Sequence, residues 1–219
     1  MFDTESGFAR IETPYQIYLA QQTLPRSEVA ELYSTVPLER AASISRDDPK
    51  HEKQYRMNLF YLMLNNRRTA VADELPPAWA SLLSDLTSSR FTDWLSAGTG
   101  VKLDGLFLDV GVYTHREGDY LSPHKDKTDK AITALLYLNE DWPTDGGGEF
   151  EVRASGRSAE RPVLSLPPRP GQFLAFVPTD RSWHSVSRVA SGNPVTRLTV
   201  QVEYWFERID RYRAEMSTK

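Results

Sequence analysis

Ser122-Pro123-His124-Lys125-Asp126, answered much later by Ser182-Trp183-His184-Ser185-Val186, is the pair of stretches from which this 219-residue chain is best read. In an extended strand, side chains two residues apart share a face. His124 and Asp126 therefore reach one point from a single strand end, while Lys125 turns away. With His184 they make a set of two imidazoles and one carboxylate. Such a set suits iron(II) held on one face, with open positions opposite. The chain has four histidines, His51, His115, His124 and His184, and no cysteine. Thiolate metal sites and disulfides are excluded, which leaves His, Asp and Glu as ligands.

Outward from this pair the hydrophobic period is two. Leu106, Leu108, Val110 and Val112 alternate with Phe107, Asp109, Gly111 and Tyr113. Strand-like runs follow at 131–138, 148–153, 163–166, 172–177, 184–189 and 195–206, separated by turns rich in Gly, Pro, Asp and Asn. The first hundred residues read differently. Tyr15 to Leu19 is an early strand candidate. Pro25-Arg26-Ser27-Glu28 opens a helix carrying Val29, Leu32, Tyr33 and Val36, and Pro37 stops it. Residues 45–54 are charged and read as an exposed loop. The pattern of Tyr55 to Leu64 does not separate strand from helix. Pro76-Pro77 starts a helix with Trp79, Leu82, Leu83 and Leu86 on one face; a further helix carries Phe91, Trp94 and Leu95 and ends at Gly98 or Gly100. Their aromatic residues are read as core fillers, and so are Trp183 and Trp205. Asp210 to Lys219 reads as a polar tail. Many short strands after a helical start predict a mainly β fold with supporting helices, a double-stranded β-helix or cupin-like jelly roll. A single domain over 1–219 is expected, with supporting and substrate-side elements in 1–100 and a catalytic β-core in 101–207.

Composition narrows the function. The chain is 40% hydrophobic and 26% charged, with a formal net charge of −4. No basic stripe appears, so a nucleic-acid partner is not expected. No apolar run approaches a membrane span, and Met1 to Gly7 has neither the basic nor the apolar segment of a signal peptide. A cytoplasmic enzyme without a membrane partner is the expectation. Gly146-Gly147-Gly148 lacks the Lys-Ser/Thr and strand-to-helix context of a phosphate loop and reads as a tight turn.

Five blocks in order resemble the iron(II)/2-oxoglutarate-dependent oxygenases, in particular their prolyl-4-hydroxylase-like branch. They are Tyr113…Gly118-Asp119-Tyr120-Leu121…His124-x-Asp126; Leu136-Tyr137-Leu138-Asn139-Glu140; Asp145-Gly146-Gly147-Gly148-Glu149-Phe150; Pro170-Gly171-Gln172-Phe173-Leu174-Ala175-Phe176; and His184-Ser185-Val186…Gly192…Arg197…Trp205. The resemblance covers about the C-terminal half of the chain. It implies His124, Asp126 and His184 as catalytic iron ligands, with 2-oxoglutarate and O2 as co-substrates. It further implies that Arg197 pairs with the distal carboxylate of 2-oxoglutarate, with Thr199 beside it on the same strand face. An Arg fork matches a carboxylate in two places and holds its charge at any relevant pH. Arg188 is the rival for this role. Tyr113 resembles a family tyrosine that touches the same co-substrate, although the spacing from Tyr113 to Gly118 is longer than usual; Tyr120 is the substitute. His115 reads as a satisfied structural histidine, and His51 as exposed.

The implied reaction is hydroxylation of an unactivated C–H bond, with release of succinate and CO2; desaturation and ring closure are related outcomes. The carboxylate at Asp126 argues against the halogenating relatives, which have a small residue there. Glu203 stands where the nucleic-acid demethylases of the family carry a second arginine, which argues against that branch. The expected substrate is an amino acid or an amino-acid-derived small molecule. A protein prolyl hydroxylase and a non-oxygenase cupin-type metal protein are the alternatives. The substrate's identity and the oligomeric state are not legible in the chain.

Overall fold

The computed structural model describes residues 2–48 and 50–208; the polar tail expected beyond Asp210 lies outside the described residues. The strands are β1 (Ala9–Ile11), β2 (Ile17–Ala20), β3 (Ala42–Arg46), β4 (Tyr55–Leu64), β5 (Arg67–Arg68), β6 (Phe107–His115) and β7 (Tyr120–His124). They continue as β8 (Lys130–Tyr137), β9 (Phe150–Val152), β10 (Leu164–Leu166), β11 (Phe173–Phe176), β12 (His184–Val186) and β13 (Arg197–Trp205). The helices are α1 (Arg26–Ser34), α2 (Ala70–Asp73), α3 (Pro77–Leu86) and α4 (Ser89–Thr99). All thirteen strands join one antiparallel sheet with the path β1-β2-β11-β8-β13-β6-β4-β7-β12-β9-β10, and β3 and β5 also pair with β4.

That path curls into a jelly roll, and β4 turns the corner. Asn58 to Met63 pair with β6, whereas Tyr55 and Arg56 pair with β7, so one strand serves both limbs. Here pairing with neighbouring strands decides what the sequence pattern could not: Tyr55–Leu64 is a strand because β3, β6 and β7 all bond to it. It ends in a two-residue turn, Asn65-Asn66, with φ of 50° and 64°. Asparagine tolerates that left-handed region better than most residues.

Alternation then sorts side chains into two packed layers. On the outer face, Leu136, Leu198, Val200 and Val202 meet Trp79, Leu83, Leu86 and Leu95 of α3 and α4. The helical spacing of these apolar residues is what the sequence predicted, and the Trp79 indole is anchored by a hydrogen bond to the Leu32 carbonyl at 3.0 Å. Ser88 caps α4 through the Phe91 N–H, and Gly100 closes it in the left-handed region, φ 76°. On the inner face, Leu135, Tyr137, Leu174 and Phe176 from one limb meet Phe150 and Val152 from the other.

Two expectations are corrected here. The segment 45–54 is not all exposed loop: Ser45 and Arg46 finish β3, and Lys53 turns into the interior. Trp183 is half-buried rather than core, lying under the Lys125 ammonium at 5.0 Å, while Trp205 is buried as expected. The strands β1, β3 and β5 and the short helix α2, too short or too polar to leave a period, are additions to the sequence reading.

Asp109, on β6 away from the interior cavity, is 1% exposed and accepts a hydrogen bond from the Asn65 N–H at 2.6 Å. Burial pushes its carboxyl from 3.8 up to about 6; the Asn65 N–H opposes that and Glu203 adds to it. A raised carboxyl makes the folded state hold its proton longer than the unfolded chain. Its contribution to stability therefore falls as pH rises from about 4 to 6 and stays low above. Asp109→Asn should match wild type near pH 4 and exceed it by ~2–3 kcal/mol above pH 6 in urea unfolding. A difference that does not change with pH would contradict the assignment.

Candidate metal centre

β7 and β12 pair in antiparallel register with His184 directly opposite His124. The two rings stand 4.2 Å apart, centre to centre. Asp126 follows two residues after the end of β7, and its Oδ1 lies 3.8 Å from His124 Nε2. One ligand atom from each of the three lies within 4.8 Å of the others. The Phe150 ring stacks on His184 at 5.4 Å and Phe176 flanks it at 4.8 Å, so the imidazole has little room to swing.

The outer partners set the donor atoms. His124 Nδ1 bonds the Ser122 carbonyl and His184 Nδ1 bonds the Ser182 carbonyl, both at 2.9 Å. A carbonyl only accepts, so each Nδ1 carries the proton and each Nε2 presents its lone pair. Asp126 Oδ2 accepts from Thr133 Oγ1 at 2.7 Å and from the Lys130 ammonium at 3.1 Å, which leaves Oδ1 for an ion. Burial holds His124 and His184 below the ordinary imidazole range, with Lys53 adding to the effect at His124. Burial also pushes Asp126 upward, but Lys130 and the two histidines outweigh it and keep the carboxyl well below its usual value. Two neutral imidazoles and an ionised carboxylate are the forms that ligate a metal, so the residues fit iron(II).

The three ligands open onto a cavity of about 360 Å³ between the limbs of the sheet. The inward face of β13 supplies Arg197, Thr199, Gln201 and Glu203 to its wall. Arg197 is 2% exposed. Its Nε donates to the Gly148 carbonyl at 2.7 Å, its Nη1 lies 3.5 Å from Thr199 Oγ1, and the guanidinium stands 5.3 Å from the Tyr137 ring. It forms no ion pair with any described residue. Burial lowers its affinity for the proton, and Tyr137 and Glu149 counter that. A buried cation without a counter-ion is costly, so this position calls for an anion. Two further groups beside it lack well-directed hydrogen bonds: the Tyr137 hydroxyl and both ring nitrogens of His115. His115 pairs with Arg197 across β6 and β13 and lines the cavity; it is not the satisfied structural histidine expected. Burial and the Arg197 charge keep its ring neutral.

Tyr113 lines the same cavity, its hydroxyl 3.2 Å from that of Tyr61. The two substitutes do not reach it. Tyr120 bonds Asp47 at 3.0 Å, and Arg188 is exposed with its guanidinium 4.1 Å from the Tyr120 ring. Lys130 and Thr133 were not singled out in the sequence; the i+4 spacing of Lys130 from Asp126 was the available signal. Tyr137 was visible only as part of a motif.

Residues 109–207 match the family model described as the 2OG-Fe(II) oxygenase superfamily. No curated protein matches the chain. Among solved structures, a Pseudomonas putida prolyl-4-hydroxylase is 16% identical with a TM-score of 0.55, over 88% of this chain and 92% of that one. A prolyl hydroxylase from Trichoplax adhaerens, in complex with a hypoxia-inducible-factor peptide fragment, is 17% identical with a TM-score of 0.55, over 93% and 87%. HygX from Streptomyces hygroscopicus, with nickel, 2-oxoglutarate and hygromycin B bound, is 14% identical with a TM-score of 0.52, over 86% and 82%. At these identities the likeness is one of fold. Among the described residues, no helix is long and apolar enough to cross a membrane.

If the outer partners tune the centre, Thr133→Val should weaken cobalt(II) or iron(II) binding in anaerobic dialysis by about tenfold or more. His184→Ala should weaken it further. Unchanged affinity in His184→Ala would place the ion elsewhere.

Proposed function

We propose that this chain, whose residues 109–207 match the 2OG-Fe(II) oxygenase superfamily, is a hydroxylase of an amino acid or amino-acid-derived small molecule, with Arg197 as the anchor of its co-substrate. The observation that carries the reading is the buried, unpaired Arg197 guanidinium in the cavity that also holds His124, Asp126 and His184. A cupin-type protein that merely bound metal would have no use for that charge. The family uses iron(II), 2-oxoglutarate and O2.

When bound, these supply the oxidant: substrate C–H, 2-oxoglutarate and O2 become substrate C–OH, succinate and CO2. The chain's own residues hold and orient. Nε2 of His124, Nε2 of His184 and Oδ1 of Asp126 hold the ion. Thr133 and Lys130 fix the carboxylate through its other oxygen. Arg197 receives the distal carboxylate of 2-oxoglutarate, with the Thr199, Tyr137 and Tyr113 hydroxyls as hydrogen-bonding neighbours. The apolar walls, with Phe150 and Phe176 against His184, exclude water from the reacting end.

The fold does not choose between substrate classes: one structural neighbour holds a peptide and another the small molecule hygromycin B. A cavity of about 360 Å³ lies in the range of small-molecule sites, which favours the small substrate.

Arg197→Ala should lower kcat/KM for 2-oxoglutarate, read as succinate formed, by ~30-fold or more, because it deletes one partner of a buried charge pair. Arg197→Lys should recover part of the loss. An Arg197→Ala protein with native circular dichroism and wild-type KM for 2-oxoglutarate would refute the role.

A further inference from the structure

The charges around the cavity nearly cancel, and the exception points to the substrate. The charged residues on its wall are Arg40, Lys53, Asp126, Lys130, Arg197 and Glu203. Arg40, at the mouth, pairs with Glu74. The Lys130 ammonium bonds Glu203 and stands 4.8 Å from the centre of the Trp205 ring. On the reading proposed above, Asp126 gives its charge to the ion and Arg197 gives its charge to the co-substrate. One iron(II), one Asp carboxylate, one 2-oxoglutarate dianion and one Arg sum to zero. Lys53 is left: it makes no direct hydrogen bond or ion pair with any described residue, and only the more distant charges of Asp126 and Glu203 offset the burial of its ammonium.

Its position is fixed by the backbone on either side of the next residue. The Gln54 N–H donates to Ser122 Oγ at 2.8 Å, and the Ser122 N–H donates to the Gln54 carbonyl at 2.9 Å. Ser122 is also the residue whose carbonyl orients His124. Lys53 is therefore held beside the strand that carries His124 and leads to Asp126. It also lines a second, more open depression with Glu52, Lys125, Lys127, Asp129 and Trp183. His124 and Asp126 border both spaces, so Lys53 stands at the junction between open surface and reacting end. Beyond it the cavity wall is apolar: Ile44, Met57, Leu59, Leu121 and Val186.

A half-buried cation in an apolar setting binds an anion more strongly than an exposed one, because water competes less. We propose that Lys53 is a specificity-determining residue that receives a carboxylate of the substrate, and that the enzyme takes a small acid with an apolar body. The inference rests on the function proposed above and narrows its substrate class. The carboxylate docks at the junction, the apolar body lies along Ile44, Met57 and Leu59, and the C–H to be oxidised is presented toward the ligands. The acid is bound by charge at one end and by surface burial at the other.

The test uses anaerobic protein loaded with iron(II) and 2-oxoglutarate, calorimetry, and two probes of equal size: N-acetyl-L-leucine, an anion, and N-acetyl-L-leucinamide, which is neutral. Wild type should bind the anion about tenfold or more tighter, the worth of one charge-assisted hydrogen bond. Lys53→Met keeps the stem and should abolish the preference, and Lys53→Arg should retain most of it. The affinity for 2-oxoglutarate, followed separately by its visible band with iron(II), should stay within about twofold in all three proteins. Equal binding of the two probes by wild type, binding of neither, or a preference that survives Lys53→Met would overturn the proposal. So would a large loss of 2-oxoglutarate affinity in Lys53→Met, which would make Lys53 the co-substrate's partner. Wild type that takes up no 2-oxoglutarate would instead remove the proposed function, and this inference with it.

Discussion

The pairing of β7 with β12 is the constraint from which the centre follows. Antiparallel register sets His184 opposite His124, and each ring is then oriented by the carbonyl two residues before it in the chain. The chain leaves β7 just beyond His124, which frees Asp126 to turn to the same point. A slip of one residue would carry His184 to the other face of its strand. Pairing of β12 with β9 on its other side, and Phe150 stacked on the ring, make such a slip expensive.

A second constraint is the burial of charge inside a sheet. β13 is covered on both faces, yet between Arg197 and Tyr204 only its outward residues, Leu198, Val200, Val202 and Tyr204, are apolar. Its inward row is Arg197, Thr199, Gln201 and Glu203, which line the cavity. A core strand would not carry that row without compensation. Glu203 finds it in Lys130 and in the Gln201 amide at 2.6 Å. Lys130 in turn reaches Asp126, so charge balance runs from the strand to the candidate ion site. Arg197 and Lys53 have no such partner among the described residues. On the proposed function, this polar row faces what enters the cavity, and Arg197, its cation without an ion pair, receives an anion.

Much of this was legible in the chain. The helices α3 and α4, and the strands from β6 onward, announced themselves because their apolar residues keep one period against one packed face. The candidate ligand set was legible because so few histidines compete and His-x-Asp keeps the pair close, although Asp126 reaches the point from just beyond β7 and not from the strand itself. What escaped was set by tertiary neighbours. Tyr55–Leu64 is a strand only because four others bond to it. His115 has the same strand parity as Tyr113, but nothing local says that Arg197 will stand opposite and that its ring nitrogens will go unpartnered. Lys53 sits in a charged run that looks solvated, and it turns inward because Gln54 is tied to Ser122. Trp183 beside His184 looked like core, but the strand end exposes its ring under Lys125.

The account stands most directly on a crystal structure of the protein grown without oxygen in the presence of iron(II) and 2-oxoglutarate. It predicts the ion on Nε2 of His124, Nε2 of His184 and Oδ1 of Asp126, with the distal carboxylate of 2-oxoglutarate on the Arg197 guanidinium. An ion held by other residues, or a co-substrate whose distal carboxylate sits on Lys53 while Arg197 stays unpaired, would contradict it.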